Sequence, residues 1–244
     1  MCRFKSGIIL KDRVFIPDYD SHTDMLEELK IADTEDNAKR LFVRAELVPQ
    51  GDDVFTPVAS WKYHVDQDIL PEWYVAEVDE RRMREAVTEW AKEHIHVGEK
   101  IERIDSGTHW IKDCKVGSIY GSAKVKYICD SAEVGSICDS AEVGYICDSA
   151  EVGSIYGSAE VKYICDSAEV ENICDSAEVG YIYGSAKVEN ICDSAEVKTS
   201  KYSIWKHIKS VCIKDKAVII DRYNNKIYHS GAFETVIAGG QKDE

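Results

Sequence analysis

Several series of side chains in this sequence have types and spacings that could do chemistry. Glu133, Glu151 and Glu169 recur at one constant interval, and Glu142, Glu160, Glu178 and Glu196 keep the same interval, as do Asp130, Asp148 and Asp166. If the backbone returns to the same place at that interval, each series becomes a column. Carboxylates about 5 Å apart repel by roughly 1 kcal/mol per pair in water, so such columns need a reason. One is imitation of nucleic-acid charge, offered to a DNA-binding enzyme. The other is an acidic face that keeps a short sheet stack soluble and its edges unpaired. Tyr127, Tyr145, Tyr163 and Tyr181 form an aromatic series at the same interval. Such a stripe can be a contact surface for a protein or can brace the stack by ring stacking. Cys129, Cys147 and Cys165 make a thiol series, and Cys174 and Cys192 another. Stacked thiolates suit a soft metal, yet no Cys-x-x-Cys pair or interleaved histidine occurs. Tyr120, Tyr156 and Tyr183 occupy the same repeat position. Packing of small side chains is therefore expected there, with no metal and no cofactor.

Outside the series, Cys2 has the clearest enzymatic chemistry. Removal of Met1 would expose an N-terminal cysteine whose own amine can serve as base for its thiol. This start resembles class II amidotransferases and abasic-site cross-linking domains, but Arg3 stands where those families usually carry glycine, and none of their other motifs appears. A buried first-strand cysteine is the plainer reading. His94 and His96 are one residue apart but have no third ligand nearby in sequence. Asp18 with Asp20, and Asp66 with Asp68, have a spacing that could serve Mg²⁺ or Ca²⁺ and that also marks ordinary turns.

The elements that must position these residues follow from a repeat. From Ile119 the chain repeats as a nonapeptide of Ile, Cys/Tyr, Asp/Gly, Ser, Ala, Glu/Lys, Val and two variable positions, without a slip as far as Ile191 and Val197. A helix cannot carry it, because nine residues at about 100° each turn alternate repeats to opposite faces. Val, Ile, Tyr and Cys beside Asp-Ser or Gly-Ser pairs read as short strands with corners. Nonapeptide repeats point to a solenoid. Tyrosine returns at the ninth position only every second repeat, so one rung takes two nonapeptides. The repeats then make roughly four and a half rungs, a stub on the order of 20 Å long. An antiparallel meander of nonapeptide hairpins shares the period and ranks second. A bend or bulge is expected at positions eight and nine, where alternation breaks.

The expected fold is an α+β N-terminal domain (1–108), then a two-sided parallel β-solenoid (109–199), then a C-terminal β-hairpin cap (200–244). Within the first region a hairpin is expected over 7–17, a helix over 22–29 with Ser21 as N-cap, strands over 41–47 and 61–65, and a helix over 79–94. Trp110–Ser118 reads as a loose capping rung, with Trp110 in the Ile place and Cys114 in the Ala place. Strands 217–221 and 226–229 around Tyr223-Asn224-Asn225 read as the closing hairpin.

Charge narrows the function classes. The net charge is −15, and residues 116–197, with 15 acids and 4 lysines, hold −11 of it, whereas residues 198–244 carry +4. Direct nucleic-acid binding, which needs a basic stripe, is not expected. Neither is a membrane span, since no apolar run approaches about 18 residues. The N-terminus lacks a basic-then-apolar signal, so cytoplasmic residence is expected. Nine cysteines, an odd number, then read as reduced thiols. The corners lack Gly-Gly-x-Gly-x-Asp, which argues against calcium-bound nonapeptides, and no repeat position is threonine, which argues against ice binding.

Met1-Cys2-Arg3-Phe4-Lys5-Ser6, Pro17-Asp18-Tyr19-Asp20-Ser21-His22, Val65-Asp66-Gln67-Asp68 and Leu70-Pro71-Glu72-Trp73-Tyr74 resemble a group of uncharacterised bacterial and phage or prophage proteins that join such a domain to nonapeptide repeats. The resemblance implies a mobile-element setting and brings no activity or catalytic residues. Together these readings give a non-enzymatic acidic interaction protein that occupies a host protein, in the sharper form by nucleic-acid mimicry. The binding residues are the tyrosine and glutamate columns. The alternatives are self-assembly, with the basic tail of one copy meeting the acidic rod of another, and an enzyme using Cys2.

Overall fold

The computed structural model describes residues 4–199, 212–213, 217–221 and 226–229. The chain divides into two compact units after Ile95.

The first unit contains β1 (Lys5–Leu10), β2 (Val14–Phe15), α1 (His22–Glu28), α2 (Glu35–Ala38), β3 (Phe42–Val48), β4 (Lys62–Val65) and α3 (Ala76–His94). The strands form one antiparallel sheet in the order β2-β1-β3-β4. Helix α1 starts where expected, with Ser21 Oγ accepting from the Asp24 N–H at 3.3 Å. The short α2 shows no period and is marked only by its cap, Thr34 Oγ1, which accepts from Asn37 N. Helix α3 starts at Ala76, ahead of the expected Asp79, because the Asp79 side chain reaches back to accept from Val75 N at 2.8 Å. Ile8, Met25, Leu26, Ala38 and Phe42 make one core cluster. Lys5 lies buried, at 1% exposure, with Nζ donating to Pro17 O at 2.6 Å and to Asp20 at 3.0 Å. It also sits 4.5 Å from the Trp90 ring centre, and burial pulls its pKa below the usual lysine value.

The rest of the chain runs through β5 (Ile95–Val97), β6 (Lys100–Ile104), β7 (Thr108–Lys112), β8 (Lys115–Ile119), β9 (Lys124–Cys129), β10 (Glu133–Ile137), β11 (Glu142–Ile146), β12 (Glu151–Ile155), β13 (Glu160–Ile164), β14 (Glu169–Ile173), β15 (Glu178–Ile182), β16 (Lys187–Ile191), β17 (Glu196–Thr199), β18 (Cys212–Ile213), β19 (Val218–Asp221) and β20 (Lys226–His229). It is a β-solenoid of about six parallel coils. Even-numbered strands β6 to β18 form a seven-stranded sheet, and β5, β7 and the following odd strands to β19, closed by β20, form a nine-stranded one. From β6 to β19 each strand pairs in parallel with the next but one, as Val134 with Val152 and Val143 with Val161, so two nonapeptides make one rung. That pairing excludes the antiparallel meander. Strands β19 and β20 pair antiparallel, as a terminal hairpin; its turn residues Tyr223-Asn224-Asn225 lie outside the described residues.

Each nonapeptide sends Val, Ile and Ala inward, and these stack on their counterparts in a continuous apolar core from Ile104 to Ile219. Burying each Ile or Val contributes about 1.5–3 kcal/mol. The corner residue after Cys or Tyr takes φ of 54–57° at six repeat aspartates from Asp130 to Asp193 and 63–73° at Gly121, Gly157 and Gly184. Asp and Gly therefore share that place, both being tolerated in the left-handed region.

Three expectations are corrected. The solenoid sheets begin before residue 109: Ile101 pairs with Val116 and Ile104 with Ile119. Their hydrophobic pair matches the repeat, but an offset shorter than a full rung hides it from the nonapeptide frame. With these strands and β18–β19 added, the seven-stranded sheet spans about 29 Å at the usual strand spacing, rather than the shorter stub expected. Trp110 is not in the Ile place. It pairs with Tyr127, while Ile111 pairs with Ile128, because a register shift falls between His109 and Trp110. Cys114 does take the fully buried Ala place.

Candidate interaction surface

The outward positions of the solenoid carry its chemistry, and the two sheets differ. On the odd sheet, Tyr127, Tyr145, Tyr163 and Tyr181 stand in register. Their rings stack at centroid distances of 5.0, 4.7 and 5.7 Å with interplanar angles of 10–20°. Tyr127, the first of the four, is 40% exposed. Beside this strip, Glu142, Glu160, Glu178 and Glu196 form a column, as expected. Lysines that sequence reasoning had not placed surround it. Lys124 ends the column and pairs with Glu142 at 3.1 Å, while Lys198 reaches Glu196 at 3.1 Å and Glu178 at 3.6 Å. Lys126 and Lys162 stand two positions along the strand, on alternate rungs with Gly144 and Gly180 in the same place on the others. Lys162 Nζ lies 5.9 Å from the Tyr163 ring centre. The groove on this face, about 540 Å³, is lined by four lysines and three glutamates, with Tyr127 and Tyr145. The tyrosine face is thus aromatic and close to charge-balanced.

The even sheet keeps the acidity. Glu133, Glu151 and Glu169 stack in register between Lys115 and Lys187. Lys115 pairs with Glu133 at 2.7 Å and Lys187 pairs with Glu169, which leaves Glu151 without an ion pair among the described residues. Gly117, Gly135 and Gly153 floor a groove of about 440 Å³ beside this column, with Glu171 and Glu189 on its wall. An ideal Cβ at Gly135 would lie 2.6 Å from Gly117 O of the rung below, yet the same repeat place further along carries Glu171 and Glu189, so the stack accommodates a side chain there. In the tyrosine place this sheet carries Ser118, Ser136, Ser154, Asn172 and Asn190, and Asn190 Nδ2 donates to Asn172 Oδ1 at 3.2 Å.

The corner aspartates turn their charge inward to the backbone. Asp148 accepts from Asp130 N at 3.3 Å, Asp175 from Gly157 N at 3.0 Å and Asp193 from Asp175 N at 3.3 Å. Each carboxylate thereby satisfies a corner N–H one rung below, a job neither mimicry nor solubility requires. The signal was the fixed corner position itself, which in a parallel stack leaves an N–H facing the next rung.

The cysteine columns form as expected on the odd sheet. Hydrogen bonding to Cys129 pushes the Cys147 thiol up to about 12, and hydrogen bonding to Cys147, reinforced by burial, raises Cys165 further. Tyr183, raised by its bond to Cys165, ends the series. Cys147, Cys165 and Asp166 come within 4.8 Å of one another, and without an ion both thiols favour the protonated form. On the even sheet the expectation of reduced thiols fails: Cys174 and Cys192 form a disulfide, their Cα atoms 4.7 Å apart on successive rungs. Rung stacking puts any two cysteines of one column at bridging distance, and the cysteine count consequently no longer argues for a reducing compartment.

Cys2 lies outside the described residues. His94 and His96 do not converge on one ion. His94 Nε2 faces Asp18 at 3.1 Å, and His96 lies 3.2 Å from Glu99 and 3.1 Å from His109. Asp18 and Asp20 are likewise separately engaged, Asp20 by Lys5 and the Ser6 N–H. No helix among the described residues is long and apolar enough to cross a membrane. Compared with known proteins, the chain matches no family model, no curated protein and no solved structure.

Proposed function

We propose that the solenoid is an interaction rod that docks a protein partner through the tyrosine strip of its odd sheet. The observation that carries this reading is the four-ring stack of Tyr127, Tyr145, Tyr163 and Tyr181, half-buried to exposed, with lysines and glutamates interleaved beside it. Aromatic residues bounded by mixed charge are the composition of protein contact surfaces. The rings are already ordered, so docking costs little side-chain entropy. Strict imitation of nucleic acid is less well supported. On the odd sheet the glutamates are offset by lysines, and the corner aspartates are occupied with backbone donors. Mimicry keeps one specific support, the even-sheet groove, where five glutamates face three lysines.

The resemblance at the N-terminus supports a phage or prophage setting with a host protein as the partner, and a cytoplasmic location fits that setting. Self-assembly through the basic tail involves residues that lie mostly outside the described ones.

Affinity capture from a native-host lysate tests the choice, with wild type, Tyr145→Ala/Tyr163→Ala and Glu151→Gln/Glu169→Gln compared across a salt series. Docking on the strip predicts a partner lost with the tyrosine variant and retained at raised salt. A partner lost only with the glutamate variant, and released steeply by salt, would establish mimicry instead. A partner indifferent to both variants would refute both.

A further inference from the structure

We propose that His22, Glu46 and Asp66 of the first unit form a binding site for a divalent transition-metal ion. Three separate elements supply them: the first residue of α1, the interior of β3, and the residue directly after β4. One ligand atom from each lies within 4.8 Å of the others. The positions are held by the fold. Asp66 N donates to Arg44 O at 2.9 Å, and Gln67 clamps the following turn, with Oε1 accepting from Arg44 N at 2.9 Å and Nε2 donating to Ile69 O at 2.6 Å.

Two observations point to a cation site. The first is the histidine's tautomer. His22 Nε2 lies 3.3 Å from Ala45 O, and a carbonyl only accepts, so Nε2 carries the proton. Its other ring nitrogen, Nδ1, faces Asp66 Oδ2 at 3.3 Å. An imidazole nitrogen and a carboxylate oxygen at that distance can share one ion between them. A ring N–H donated to a backbone carbonyl, with the other nitrogen aimed at a carboxylate, is how metal-binding histidines are oriented. That separation also matches the edge of a tetrahedron with metal–ligand distances of about 2.0–2.1 Å.

The second observation is unspent polarity on the same sheet face. Glu46 is 4% exposed and makes no side-chain hydrogen bond or ion pair among the described residues. Directly across the β1–β3 ladder from it stands Ser6, whose Oγ is a fully buried polar atom without a hydrogen-bond partner among the described residues. The orphan Ser6 hydroxyl beside this carboxylate is costly unless an ion or its bound water completes it.

The ligand set selects the ion. One imidazole and two carboxylates suit Zn²⁺, Mn²⁺ or Fe²⁺, whereas Ca²⁺ prefers six to eight oxygens. Three protein ligands leave a position open to water, the arrangement of metals that do chemistry rather than brace a fold. Asp66, with its side chain 49% exposed, gives that position access to solvent. Of the two Asp-containing motifs only Asp66 enters this site; Asp20 holds Lys5 and the Ser6 backbone, and Asp18 faces His94.

The test uses the full chain, stripped with chelator and kept reduced, titrated with Zn²⁺ by calorimetry and with Mn²⁺ by electron paramagnetic resonance, since Mn²⁺ avoids thiols. Wild type, Asp66→Asn, Glu46→Gln and Cys147→Ser/Cys165→Ser are compared. The expected result is one ion per chain, unchanged in the cysteine variant and weakened about tenfold or more in each carboxylate variant. Asp66→Asn alters a half-exposed residue, so its retained fold, checked by circular dichroism, keeps the comparison valid if Glu46→Gln unfolds. Binding that is absent in wild type, or that survives Asp66→Asn undiminished, overturns the site and leaves His22 and Asp66 as an ordinary ion pair with a protonated ring.

Discussion

At the residue scale the solenoid works by satisfying each polar group locally, and single side chains are where that can be measured. Hydrogen bonding to Cys129 raises the Cys147 thiol from the ordinary 9.0 to about 12. Because the folded pKa lies above the unfolded one, this thiol's contribution to stability is fully present below the unfolded value. It is then lost as pH rises through that value toward the folded one. The urea midpoint of reduced protein should fall over that window and fall less in Cys147→Ser, and alkylation of Cys147 just below the window should be slow until the chain unfolds. A second residue-scale prediction concerns Lys5. Replacing it with Met removes donors to Pro17 O and Asp20, while Asp20 remains half-exposed to water. The loss should be about 1–3 kcal/mol in chemical denaturation, not the larger penalty of a stranded buried charge. The candidate columns were legible here because a fixed interval assigns every repeat residue a neighbour. The lysines that neutralise them were not, although Lys115, Lys124 and Lys187 occupy the glutamate place itself. They look like exceptions along the chain and become column ends only once strands are stacked.

At the element scale, the nonapeptide reports both its own strand and the strand that pairs with it, which is why β8 to β17 could be read from sequence with their register. The reading fails where spacing departs from the repeat. Strands β6 and β7 carry the inward Ile pattern but join the stack with offsets shorter than a full rung, so β6 emerges as a rung only in the fold and β7, read as a loose cap with Trp110 in the Ile place, is one residue out of register. In the first unit, α1 and β3 were legible from a cap and an apolar run, while α2 was not, being a single turn. Since each rung is supported by its neighbours, a cavity in the middle of the stack should be costly. Ile155→Ala, at a fully buried position, is expected to lose about 2–5 kcal/mol in chemical denaturation. The Cys174–Cys192 bridge links successive rungs of the even sheet. Intact mass after alkylation without reductant should leave these two thiols unlabelled, and reduction should lower stability by about 2–3 kcal/mol.

At the scale of the whole molecule, a net charge of −15 first suggests an acidic rod, yet the sheets divide that charge unequally. The even sheet keeps a glutamate-lined groove, whereas the odd sheet pairs its glutamates with lysines and adds the tyrosine stack. Formal charge per region could not show this, because face assignment depends on which strands share a sheet. The central claim is that the tyrosine face, not the acidity, is what a partner reads. The most direct test is the salt dependence of partner capture from native-host lysate by wild type and by Tyr145→Ala/Tyr163→Ala. The account predicts a partner that wild type holds at both low and high salt and that the tyrosine variant fails to hold at either. A partner held equally by both proteins at low salt and released from both at high salt would contradict it.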